Sequence, residues 1–191
     1  MTKLQLTKKY VHKAGMLPKQ AAPLFFIFVG IPGSGKTTYA HFLEKYMSAV
    51  RVATDDIKLY YIKNKIKYVI PELFQNQKSI FEEVVGYNVH MISDSNSATN
   101  DFRQKLKIFA KKHGYVPIVV YCSADINTIK DRINRRRESG GIKNFYISSG
   151  RLGKYLKELE PPKKCILIDT TIEFNKSKAY LIKSLNKWIK K

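Results

Sequence analysis

The unbroken apolar run Leu24-Phe25-Phe26-Ile27-Phe28-Val29, bounded by Pro23 and Gly30, passes directly into Gly30-Ile31-Pro32-Gly33-Ser34-Gly35-Lys36-Thr37. A strand apolar on both faces belongs inside a sheet covered on both sides, so the run predicts a central parallel strand. The octet fits G-x-x-x-x-G-K-[ST], and Thr37 to Tyr46 puts Tyr39, Phe42, Leu43 and Tyr46 on one side of a helix. Strand, glycine-rich turn and helix start thus come in the order a phosphate-binding loop requires. Gly30, Gly33 and Gly35 let the backbone turn its N–H groups inward, Ser34 and Thr38 belong to the same loop, and the helix start adds partial positive charge. Lys36 can reach the β- and γ-phosphates of a nucleotide, and Thr37 can ligate Mg²⁺.

The alternation continues along the chain. Ala49 to Ala53 is short and β-like, Tyr87 to Asp94 reads as a strand, Val116 to Cys122 is apolar, and Cys165 to Asp169 supplies a fifth strand. Helices are expected over Gln77 to Val85, Asn100 to Lys112, Ile126 to Arg137 and Leu152 to Leu159, with Asp125 as a cap, Gly140-Gly141 as a break and a basic helix at the C-terminal end. This pattern predicts the α/β class: a P-loop NTPase fold with a doubly wound, five-stranded parallel sheet and helices on both faces. Ligands of such sheets bind beyond the carboxyl ends of the strands. Residues 1–22, with Lys3, Lys8, Lys9, Lys13 and Lys19, are expected to form a basic arm before a domain over 23–191.

Composition narrows the function classes. A chain of 191 residues that is 44% hydrophobic can bury a core, which excludes a disordered basic tail. No stretch approaches the roughly 18 consecutive apolar residues of a membrane span, and no membrane partner is expected. Cys122 and Cys165 lack the paired spacing of a zinc site or disulfide scaffold, so a reducing cytoplasm is the expected compartment. The net charge of +20 points to an anionic partner.

The other strand ends carry the remaining chemistry. Asp55 and Asp56 follow the second strand, where a carboxylate can accept a proton from an attacking hydroxyl. Asp94 closes the third, ahead of Ser95-Asn96, and suits either a Mg²⁺-side carboxylate or a place in the acceptor pocket. Arg132 and Arg136 are four apart on one helix face, where two guanidinium forks can converge on a phosphate, whereas Arg135 and Arg137 read as solvated. His90, mid-strand, reads as packed rather than catalytic.

In this order GIPGSGKTT, VATDDIK, GYNVHMISDSN and DRINRRR resemble the P-loop kinase group that contains phage-type polynucleotide 5′-hydroxyl kinases and zeta-toxin-like kinases. The resemblance implies ATP and Mg²⁺, with Lys36 and Thr37 on the donor phosphates and metal, and Asp55 as general base. It further implies Asp94 on the acceptor side and Arg132 with Arg136 as an arginine-bearing lid; Asp56, Lys58 and Asn96 are expected to bind the acceptor beside Asp94. Where such polynucleotide kinases carry an Arg three residues after the base, Lys58 keeps the charge without the bidentate fork. The expected acceptor is the 5′-hydroxyl of a single-stranded polynucleotide, which the positive charge favours. A nucleotide-sugar or metabolite kinase of zeta-toxin-like type and a non-catalytic, nucleotide-gated nucleic-acid-binding module are the alternatives.

Overall fold

The apolar run behaves as its composition requires: in the computed structural model, strand β1 (Leu24–Val29) is buried along its whole length. The structure describes residues 3–139 and 147–189, so the expected Gly140-Gly141 break lies outside the described residues. The elements in chain order are α1 (Lys3–Gly15), β1, α2 (Lys36–Tyr46), β2 (Val50–Ala53), α3 (Thr54–Lys63) and α4 (Ile70–Val84). A 3₁₀ turn, β3 (Met91–Asp94), α5 (Asn100–Lys112), β4 (Val116–Ser123), α6 (Ile126–Glu138), α7 (Ser149–Glu158), β5 (Ile166–Asp169) and α8 (Phe174–Ile189) follow. The five strands form one parallel sheet in the order β2-β3-β1-β4-β5 with helices on both sides, as expected of a P-loop kinase fold. No helix among the described residues is long and apolar enough to cross a membrane.

The chain divides into two compact units. The first comprises Met1–Ile27, Ala40–Ser95 and Leu106–Ile118. Its aromatic core has Phe25 edge-on to Phe81, with ring centroids 4.9 Å apart. Parallel pairing aligns Ala53 with Asp94, so β2 and β3 end level and their carboxylates emerge at one edge. Helix α1, within the segment expected to be an arm, packs on α4 and β2 and buries Leu6, Tyr10 and Ala14. The Lys- and Tyr-rich stretch Lys58 to Tyr68 begins inside α3. Helix α4 starts at Ile70 rather than Gln77 because Pro71 sits in its first turn, where a missing N–H costs nothing; the Glu72 carboxylate accepts from the Val69 N–H at 3.3 Å.

The second unit comprises Phe28–Tyr39, Asn96–Lys105 and Val119–Lys191. It contains the glycine-rich loop, α6, α7, β5 and α8. Asp125 caps α6, its side chain accepting from the Thr128 N–H at 2.8 Å. Ile31, Ile129 and Leu152 form a small apolar core that joins the loop to α6 and α7.

Candidate active site

In the second unit the chain leaves β1 through glycines whose dihedrals a side chain would resist: φ is +145° at Gly30, +86° at Gly33 and +82° at Gly35. A Cβ on Gly30 would lie 2.4 Å from Ser34 Oγ and 2.5 Å from the Cys122 carbonyl oxygen. On Gly33 it would meet the Ile129 carbonyl at 3.0 Å, so only glycine lets α6 come this close to the loop. Lys36 and Thr37 open α2, and the Lys36 ammonium donates to the Ile31 carbonyl at 3.0 Å, folding its charge over the loop. Ser34 Oγ is buried with no hydrogen-bond partner. Positive-φ glycines, an unpaired buried hydroxyl and a lysine at a helix start form a cradle that fits a phosphate chain.

Arg132 ties α6 to this cradle. Its Nη1 donates to the Gly33 carbonyl at 3.2 Å and to Thr170 Oγ1 at 2.9 Å, and Thr170 Oγ1 donates to the Ser34 carbonyl at 3.0 Å. The loop, α6 and the residue after β5 thus share one hydrogen-bonded triangle. A cavity of about 430 Å³ adjoins it, lined among others by Thr38, Arg135, Arg136, Ile172 and Phe174. The Tyr39 hydroxyl is bonded to that of Ser177, and its ring lies 5.3 Å from that of Phe174; burial pushes the Tyr39 hydroxyl up against the opposing hydrogen bond. Two guanidinium groups, a phosphate cradle and an aromatic and aliphatic wall match the parts of a nucleoside triphosphate. Asn96, half-buried in the same unit, has its Oδ1 buried without a partner.

The first unit gathers the carboxylates. Arg51, in the middle of buried β2, donates from Nη1 to Asp94 Oδ2 at 2.6 Å and from Nη2 to Asp56 Oδ2, while its Nε lies 3.4 Å from Glu44 Oε2. Lys13 of α1 donates to the other Glu44 oxygen. Burial works to lower the Arg51 pKa and the three carboxylates outweigh it, so the group is held firmly cationic. Burial likewise raises the Glu44 pKa, but Lys13, Arg51 and His41 together hold it below the ordinary carboxylate value. Asp55 is exposed in the first turn of α3, and Lys58 is half-buried one turn on.

Sequence reasoning thus placed Gly30, Gly33, Ser34, Gly35, Lys36, Thr37, Thr38, Arg132 and Arg136 around one loop, and the second unit brings them together. It passed over Thr170 and Arg51, and it read Arg135, exposed but lining the cavity, as solvated. Only Arg51 left a signal, as the single charge inside an apolar strand. Asp94, expected as a metal or acceptor carboxylate, has one oxygen engaged by Arg51. No group of three or more His, Cys, Asp or Glu side chains among the described residues is arranged to hold a metal. A Mg²⁺ ion needs oxygen donors, and the Thr37 hydroxyl beside a phosphate chain fits that requirement.

A family model described as "AAA domain" matches residues 25–162. The chain is 27% identical over 182 residues to the adenylyl-sulfate kinase of Thermodesulfovibrio yellowstonii, covering 89% of each. The solved structure of Mycobacterium tuberculosis APS kinase CysC in complex with AMPPNP and APS is similar with a TM-score of 0.61 at 15% identity, over 88% of this chain and 99% of that one. The structure of the Pnkp1/Rnl/Hen1 RNA repair complex gives a TM-score of 0.58 at 22% identity, over 74% of this chain and 45% of the matched one. At these identities the two structural likenesses bear on the fold alone.

Proposed function

The chain belongs to this AAA domain family, as a P-loop kinase, and from that premise we propose that it transfers the γ-phosphate of ATP to the 5′-hydroxyl of a single-stranded polynucleotide. The observation that carries the donor half is the cradle: positive-φ glycines, the unpaired Ser34 hydroxyl and Lys36, beside a cavity lined by Arg135 and Arg136. In the reaction the acceptor oxygen attacks the γ-phosphorus, its proton passes to the Asp55 carboxylate, and the bond to the β-phosphate oxygen breaks to release ADP. Lys36 and the α6 arginines offset the charge that builds on the leaving and transferring groups. Mg²⁺ on the donor phosphates would supply further charge neutralisation, with Thr37 the side chain that holds it. Arg132 acts by fixing the loop and lid to each other, and Arg136 by meeting the phosphates.

The motif resemblance assigns the base to Asp55, and the Asp56 carboxylate is held by Arg51. The polynucleotide acceptor is supported by the net charge of +20 and by the motif order. A small acidic acceptor is the second reading, favoured by the relative named as an adenylyl-sulfate kinase, which aligns over 89% of both chains. Labelled ATP incubated with the protein and separate pools of 5′-hydroxyl RNA, 5′-hydroxyl DNA, adenylyl sulfate and sugars decides between them. Label on the oligonucleotide 5′ end is the expected result. Label on a small molecule alone overturns the polynucleotide acceptor and keeps the kinase.

A further inference from the structure

Helix α8 carries two stripes with different fates. Ser177, Leu181 and Leu185 recur every four residues and are buried. On the flanking stripe Tyr180, Lys183, Ser184, Lys187 and Trp188 line a groove of about 670 Å³, whose other wall is Cys165 and Ile166 at the start of β5. Strand β5 is a sheet edge, and its Leu167 is 50% exposed. Two large rings stand at the groove in solvent, Tyr180 at 53% and Trp188 at 40% exposure. Such a patch on a basic surface marks a place where something docks.

Charge says what docks. Every charged side chain of Phe174–Ile189 is a lysine, and Lys183 and Lys187 fall between the two rings. Tyr180 and Trp188, eight residues apart, are separated by about 12 Å along the helix axis. Flat rings interleaved with lysines offer stacking surfaces to bases and cations to the backbone joining them. An acidic protein would find the lysines but leave the rings without a matching flat partner. We infer that the groove between β5 and α8 docks single-stranded nucleic acid, with Tyr180 and Trp188 stacking on bases while Lys183 and Lys187 neutralise the intervening phosphates. The occupant rests on the polynucleotide reading above; the groove gives the strand a second hold, outside the phosphate cradle.

Trp188 is the sole tryptophan, so its fluorescence reports on this groove. Titrating the full chain at low salt with oligothymidylate or oligouridylate of about a dozen nucleotides should quench it saturably, and added salt should reverse the quench. ATP alone should not quench. Lys183→Gln with Lys187→Gln should weaken binding about tenfold and lower the salt slope by about 1.4 log units per decade, at about 0.7 for each phosphate neutralised. Tyr180→Ala should cost about tenfold as well, with thermal melting confirming that the fold persists. No quench, a quench indifferent to the lysine pair, or a quench by polyglutamate but not by oligonucleotide overturns the inference. Transfer to a 5′-hydroxyl oligonucleotide is scored separately. Transfer with Trp188 unquenched sinks the groove and leaves the kinase reading, whereas a quench without transfer leaves the groove and sinks the acceptor.

Discussion

A hydroxyl buried without a partner costs about 1–3 kcal/mol, and the glycine-rich loop carries one in Ser34 Oγ. The loop keeps that cost at the point where a phosphate oxygen would remove it. Lys36 spans the same space, and its bond to the Ile31 carbonyl is local to the loop, so Lys36→Ala should leave the melting temperature within a degree or two while lowering transfer by about a hundredfold or more. Retention of near-wild-type turnover would refute the loop assignment. Asp55→Asn should bind ATP normally and lose about a hundredfold in kcat, with Asp56→Asn keeping most of its turnover while loosening Arg51. The reverse pattern, measured by single-turnover kinetics, would make Asp56 the base. At this scale the octet was legible because its chemistry is contiguous: eight residues specify turn, charge and hydroxyl without help. Arg51 and Thr170 were not, since Arg51 meets Asp94 across 43 residues and Thr170 meets Ser34 across 136, and no local pattern records such a meeting.

Elements declared themselves in proportion to how apolar they are. β1 is a run whose burial allows little else, whereas α1 shows only Leu6, Tyr10 and Ala14 among lysines, a stripe too narrow to stand out until α4 and β2 supply its partner surface. Immediately before β3, His90 is buried, and its Nδ1 accepts from the Leu24 N–H at 2.9 Å, which requires a neutral ring with its proton on Nε2. Burial lowers its pKa below the ordinary 6.5. As pH falls past 6.5 the unfolded chain takes up that proton while the folded chain does not. Stability present above 6.5 is therefore lost progressively toward the lower folded pKa. Glu44 adds a second loss at lower pH: its folded pKa lies below the ordinary 4.5, so the stabilisation it gives is lost as pH falls from 4.5 through the folded value. Melting curves against pH should show the first decline in the wild type and its absence in His90→Gln, whose amide oxygen can accept the same bond. An unchanged decline in that variant would assign the loss elsewhere.

At the scale of the whole molecule the charge of +20 is a field with two effects: it strains the compact state by self-repulsion and draws anions to it. Part of it is neutralised internally, since Lys13 pairs with Glu44 and Lys105 with Asp101 at 2.7 Å. Lys8 and Lys9 of α1 are exposed. Removing residues 1–19 would strip Leu6, Tyr10 and Ala14 from the first unit together with the lysines, mixing lost stability with lost charge. Lys8→Gln with Lys9→Gln separates the two. If these lysines neutralise the backbone of a bound single strand, log affinity against log salt should flatten by about 0.7 for each phosphate they no longer reach, with the Michaelis constant for ATP unchanged. Fluorescence anisotropy of a labelled oligonucleotide across a salt series measures the slope. A strand that fails to bind at low salt, or binds without regard to salt, makes the lysines a solvated surface and leaves the small acidic acceptor as the substrate class the kinase fold serves here.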